Sequence, residues 1–139
     1  MTRGIDIARY QGYPDWNAVR RSDVHYVYIK ATEGTTYVST HVDEQWAGAS
    51  RVGLPRGLYH YARIGNPEAE ADLFSRLVNA KGAKGAGFLP PCLDIEVGDG
   101  HLGWWVARFL ARLRAAIGVR RVMVYSGGVF YRDKVGDAA

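Results

Sequence analysis

The sequence predicts an α/β fold built on a parallel sheet, and three observations carry that prediction. Five apolar, strand-like runs lie near residues 3–8, 24–31, 56–62, 91–97 and 121–126, each followed by a stretch with helical periodicity. Such alternation is what parallel strands joined by crossover helices require. Within the runs, aliphatic residues fall on one side and polar residues on the other. The polar residues gather toward the carboxyl end of each run, where parallel α/β proteins place their sites.

Taken in order, the runs contain Ile5-Asp6-Ile7, Val27-Tyr28-Ile29-Lys30, Leu58-Tyr59-His60-Tyr61, Leu93-Asp94-Ile95-Glu96 and Val122-Met123-Val124-Tyr125. After the third, Asn66 can cap and Pro67 can open a helix that buries Leu73, Phe74, Leu77 and Val78. Residues 81–87, Lys-Gly-Ala-Lys-Gly-Ala-Gly, read as a flexible helix-to-strand loop. After the fourth run, Leu102, Trp105, Val106, Phe109, Leu110, Leu113 and Ile117 recur at spacings of three and four. Arg108, Arg112 and Arg114 fall largely on the opposite side, which reads as a solvated helix face rather than a nucleic-acid site.

Length and composition bound the rest. A chain of 139 residues with 47% hydrophobic and 23% charged residues suits one folded domain spanning residues 1–139. The single cysteine, Cys92, permits no internal disulfide, and the four histidines show no metal-site spacing, so neither metal nor cofactor is expected. No apolar run approaches the roughly 20 residues of a membrane span, and the amino terminus lacks the apolar stretch of a secretory signal. A net charge of +4 permits attraction to polyanions, nucleic acid and anionic wall polymers alike, but no nucleic-acid-binding motif is present.

The polar face carries Asp6, Tyr28, Lys30, Tyr59, Tyr61, Asp94, Glu96 and Tyr125. Buried carboxylates and a lysine cost several kcal/mol each unless paired or open to water, so this face is expected to line a barrel interior or a cleft. Asp94 and Glu96 are two apart on one strand, which puts their α-carbons roughly 6.5 to 7 Å apart with both side chains on the same face. Each then perturbs the other, so that one carboxyl can stay protonated near neutral pH while its neighbour stays charged. That division of labour is what glycoside cleavage requires.

At these residues the sequence resembles the family 25 glycoside hydrolases, lysozyme-like N-acetylmuramidases of phage endolysins and bacterial autolysins. The motifs are Gly4-Ile5-Asp6-Ile7, Tyr10-Gln11-Gly12, Asp15-Trp16, residues 28–34 (Tyr-Ile-Lys-Ala-Thr-Glu-Gly), Gly53-Leu54-Pro55 with residues 57–61 (Gly-Leu-Tyr-His-Tyr), Leu93-Asp94-Ile95-Glu96, and Tyr125-Ser126. The resemblance implies hydrolysis of the β-1,4 bond from N-acetylmuramic acid to N-acetylglucosamine in peptidoglycan. Glu96 matches the general acid/base, Asp94 the helper that orients an attacking N-acetyl group, and Asp6 a further active-site acid giving electrostatic support. Lys30, Glu33, Tyr59, Tyr61 and Tyr125 would line the sugar cleft. Tyr61 and Tyr125 are equally read as filling the interior, and Lys30 as a partner of Asp6 or Glu33.

His60 should point to the helix side as a buried, hydrogen-bonded residue, and Cys92 should pack in the interior. The resemblance also implies a (β/α) barrel of the TIM-like type, with five β/α units present and the last strands missing. Asp133 and Asp137 sit in no matching motif. A further segment or a second chain would then complete the barrel; the fold alternative is an open five-stranded flavodoxin-like sheet. The functional alternative is an inactive wall-binding or virion structural module on the same scaffold. Without a signal peptide, action at the bacterial wall would follow release from a phage host's cytoplasm or carriage in a virion.

Overall fold

The computed structural model describes residues 2–136, so Asp137 lies outside the described residues. Six strands form one sheet: β1 (Gly4–Ile7), β2 (Tyr26–Glu33), β3 (Tyr37–Val38), β4 (Arg56–Tyr61), β5 (Cys92–Asp94) and β6 (Met123–Tyr125). Five of them pair in parallel in the order β1-β2-β4-β5-β6, and β3 adds antiparallel to the end of β2. Each parallel strand thus neighbours the parallel strand before it in the chain. A flavodoxin-like sheet instead runs 2-1-3-4-5 and reverses direction at a switch point. The sequential order corrects that alternative, because right-handed crossovers that never reverse keep the helices on one face. The sheet is open, with β1 and β6 at its edges.

The helices are α1 (Trp16–Arg21), α2 (Val42–Arg51), α3 (Pro67–Lys81), α4 (Gly103–Ile117) and α5 (Gly128–Phe130). Asp15 caps α1 by accepting from the Ala18 N–H at 3.1 Å, and Asn66 caps α3 through the Ala69 N–H at 2.8 Å. Pro67 occupies the first turn of α3, where a missing N–H costs nothing. Gly82 and Gly118, both left-handed, end α3 and α4. The residues 81–87 are anchored rather than loose: Lys84 Nζ donates to Asn79 Oδ1 at 2.8 Å and to the Ile117 carbonyl at 2.5 Å, and Ala83 is fully buried.

The core lies between the aliphatic face of the sheet and α2, α3 and α4. Ile29, Leu58 and Leu93 meet Phe74, Trp105, Phe109 and Leu113 there. Each such side chain, once buried, contributes about 1.5 to 3 kcal/mol of transfer free energy. Arg108 and Arg112 are paired instead of free: each grips a carboxylate of α3, Glu68 and Asp72, through two hydrogen bonds of 2.8 to 3.0 Å. Among the described residues, no helix is long and apolar enough to cross a membrane.

A buried polar chain crosses this core. Thr32 Oγ1 lies 2.7 Å from His60 Nδ1, and His60 Nε2 lies 2.8 Å from Glu70 Oε1, with no exposed surface on any of the three residues. Burial lowers the His60 pKa, against the pull of the bond to Glu70. A neutral imidazole therefore donates from Nε2 to Glu70 and accepts from the Thr32 hydroxyl. His60 is thus the hydrogen-bonded, helix-side residue that strand alternation predicts.

Phe109 stacks on Trp105 at 5.4 Å and on His60 at 5.3 Å between ring centres. Phe109→Ala should lower unfolding free energy by about 3 to 5 kcal/mol in urea titrations. A loss below about 1 kcal/mol would contradict this packing.

Candidate active site

The strand registers sort the polar side chains into rows across the sheet. Lys30, Tyr59, Cys92 and Met123 are neighbours in one row; Glu33, Tyr61, Asp94 and Tyr125 form the next, closer to the carboxyl edge. Asp6 lies opposite Tyr28 on β2. Strict alternation from Tyr28 and Lys30 would turn Thr32 toward the cleft and Glu33 toward the helices. The register instead shifts between Lys30 and Thr32, so β2 gains one residue against β4. This bulge sends Thr32 to His60 and brings Glu33 beside Lys30.

Asp6, Tyr59, Asp94, Glu96 and Tyr125 line one cleft of about 250 Å³, joined by Tyr26, Tyr28, Cys92 and Met123. Asp94 is half-buried, while Asp6 and Glu96 are exposed. Glu96 lies past the end of β5, yet the Ile95 N–H still donates to the Tyr125 carbonyl at 3.0 Å, which carries the strand direction through to Glu96. The Asp94 pKa is raised to about 8, first by burial, then by the hydrogen bond and charge of Glu96 and by the charge of Asp6; Lys30 opposes the shift. One Asp94 oxygen, Oδ1, is buried without a hydrogen-bond partner, which adds to the cost of ionising it. Two interacting carboxyls titrate as a pair, so near pH 7 the pair retains a proton.

The tyrosines differ. Tyr59 is buried, and its pKa is raised by burial and then by Asp6, Asp94 and Glu96, so its hydroxyl remains a donor. Tyr125 is 56% exposed and forms an open wall rather than interior filling. Tyr61 is half-buried, its pKa raised by burial and then by Glu96 and Asp94. Tyr28 donates its hydroxyl to the Pro90 carbonyl at 2.8 Å and, with Tyr26, walls the cleft beside β1. Sequence reasoning put Tyr28 on the polar face but left it, and Tyr26, out of the site. Cys92 is buried on the cleft floor; burial and then Asp94 push its thiol up to about 12, so it stays protonated and unreactive.

Lys30 and Glu33 do not line that cleft. They form an ion pair in an adjacent depression lined also by Arg9, Tyr10, Tyr37 and Arg63. Burial works to raise the Glu33 pKa, but hydrogen bonds and charges from Lys30 and Arg63 outweigh it and hold the carboxyl below its usual range. Of the partners considered for Lys30, the structure selects Glu33. Asp133, in the terminal π-helical turn (Tyr131–Val135), is exposed and pairs with Arg132 at 3.1 Å.

Fold and site together define a parallel α/β protein with an acid pair at the carboxyl edge of its sheet. The sequence matches the family described as Glycosyl hydrolases family 25 over residues 5–139. The chain belongs to glycoside hydrolase family 25. It is 31% identical to Lysozyme M1 of Streptomyces globisporus over 96% of this chain and 49% of that protein. It is 46% identical to an autolytic lysozyme of Clostridium acetobutylicum over 55% of this chain and 24% of that protein. The chain thus spans about half or less of the length of these two relatives. The structure of a muramidase from Trichobolus zukalii superposes with a TM-score of 0.84 at 32% identity, covering 98% of this chain and 70% of that one.

The folded-state Asp94 value lies above the ordinary 3.8 of an unfolded aspartate. Between about pH 4 and pH 8 the folded chain therefore holds more protons than the unfolded one, and stability falls as pH rises through that window. Asp94→Asn removes the titration. Its melting temperature relative to the parent should climb from pH 4 to pH 8, and a difference independent of pH would exclude the raised pKa.

Proposed function

We propose that the protein hydrolyses the β-1,4 bond between N-acetylmuramic acid and N-acetylglucosamine in bacterial peptidoglycan. The observation that carries this reading is the Asp94–Glu96 pair, which keeps a proton near neutral pH at the mouth of an open cleft. The relatives add support, since those named above are lysozymes and a muramidase.

Glu96, the exposed member of the pair, passes the proton the pair shares to the glycosidic oxygen as the bond to the anomeric carbon breaks. The substrate's N-acetyl oxygen attacks that carbon, and Asp94 holds the amide in place. Departure of the proton leaves both carboxylates of the pair charged, and with Asp6 they stabilise the positive charge developing on sugar and amide. Glu96, now a carboxylate, takes a proton from the water that completes hydrolysis. Tyr59 supplies a hydroxyl donor, and Tyr61 and Tyr125 offer flat faces to the pyranose rings.

On this reading residues 1–139 belong to the catalytic domain, and its TIM-like barrel is closed by a further segment or a second chain. The unpaired edges of β1 and β6 favour that closure, because exposed strand edges invite pairing. The protein would act at the cell wall after release from a phage host's cytoplasm or within a virion. Nothing in the described residues favours an inactive wall-binding module.

Glu96→Gln should cut the release of reducing ends from purified peptidoglycan by at least about 100-fold. Undiminished release would remove Glu96 from the mechanism. Activity on the same substrate should also fall as pH rises through about 8, where the Asp94 proton is lost; a flat profile to pH 10 would sink the shared-proton account.

A further inference from the structure

The depression beside the acid cleft has about the same size, 240 Å³, and the opposite charge. Three cations, Arg9, Lys30 and Arg63, line it with a single carboxylate, Glu33. Glu33 binds Lys30 through one oxygen and Arg63 Nε through the other, at 2.6 Å, so it fixes two cations while neutralising one charge. Arg9 has no ion-pair partner among the described residues; its guanidinium lies 5.9 Å from the centre of the Tyr10 ring, which is 89% exposed. The depression therefore offers about two uncompensated positive charges and a flat aromatic surface.

Tyr61 stands at the border of the two halves. Lys30 and Arg63 approach its ring to 5.1 and 5.2 Å, and in the strand register Tyr61 has Glu33 on one side and Asp94 on the other. A ligand that fits both halves is uncharged where the acids work and anionic a short distance away. Muramic acid has that pattern: its ring is neutral, and its 3-O-lactyl arm ends in a carboxylate or in a stem peptide that carries one.

We infer that the Arg9–Lys30–Arg63 depression binds a carboxylate on the lactyl arm of muramic acid, with Arg9 and Arg63 setting the preference for muramyl over plain glucosaminyl chains. This rests on the muramidase reading of the neighbouring cleft. Guanidinium groups pair with carboxylates through two parallel N–H donors, and Arg9 has that fork free.

The test is calorimetric titration of the chain with three probes: chitotetraose, the peptide-free tetrasaccharide of alternating N-acetylglucosamine and N-acetylmuramic acid, and that tetrasaccharide bearing L-Ala-D-Glu stems. At least one muramyl probe should bind about 10-fold more tightly than chitotetraose, as a charge-assisted hydrogen bond predicts. Preference for the peptide-free probe identifies the lactyl carboxylate as the source, and preference for the stem-bearing probe the peptide. Arg9→Ala should reduce the gain, Arg9→Lys should restore part of it, and Arg9→Ala/Arg63→Ala should abolish it. Both arginines are exposed, so these variants keep the core intact.

Equal binding of all three probes, or a gain that survives the double variant, overturns the inference and leaves the muramidase reading standing. Failure of every probe to bind overturns both.

Discussion

Glu70 places a carboxylate where the fold leaves it no exposed surface, and it is accommodated because several donors converge on it. His60 reaches it from β4, and the backbone N–H groups of Arg63 and Gly65 reach it from the loop after that strand, at 3.1 and 2.6 Å. Trp105 of α4 holds the same loop by donating to the Gly65 carbonyl at 2.7 Å. Each donor left unpaired in this setting would cost about 1 to 3 kcal/mol. The network therefore fixes β2, β4, α3 and α4 together at the carboxyl edge of the sheet, directly beneath the candidate site. Ile64, in the middle of the clamped loop, adopts a φ of 61° that β-branched residues avoid, and the bonds on either side of it hold it there.

With that edge fixed, the charges above it separate. Asp6, Asp94 and Glu96 meet beside β5, where crowding and partial burial keep a proton on the pair. Arg9, Lys30 and Arg63 meet beyond Tyr61, the latter two held by Glu33. Glu33 already engages Lys30 and Arg63, which leaves the half-buried Asp94 only weakly compensated by positive charge. A carboxyl pair that retains a proton near neutral pH is the product of that separation.

Much of this was legible in the sequence. Alternation along the five runs separates the aliphatic face from the polar one, and it predicts His60 on the helix side and Asp94 with Glu96 in the cleft. Spacings of three and four predict the buried face of α4, and Asn66-Pro67 predicts the start of α3. The bulge in β2 is invisible to alternation, since one added residue inverts every position after it; Glu33 entered the site only through the family motif. Arg9 and Arg63 lie outside the strands, where periodicity carries no information. The two-residue β3 is too short to leave a pattern. Arg108 and Arg112 do face away from the core, but their carboxylate partners sit on another helix, 40 residues back in the chain.

Gly57 shows how tightly the cleft wall is tied to the strand beneath it. A β-carbon there would come within 2.7 Å of both the Tyr28 ring and the Leu89 Cβ, so the phenol can lie over the strand only while position 57 has no side chain. Any larger residue would have to displace Tyr28 and break its bond to Pro90. The identity of position 57 and the shape of the cleft are consequently coupled: a side chain here demands a rebuilt wall beside β1 as well.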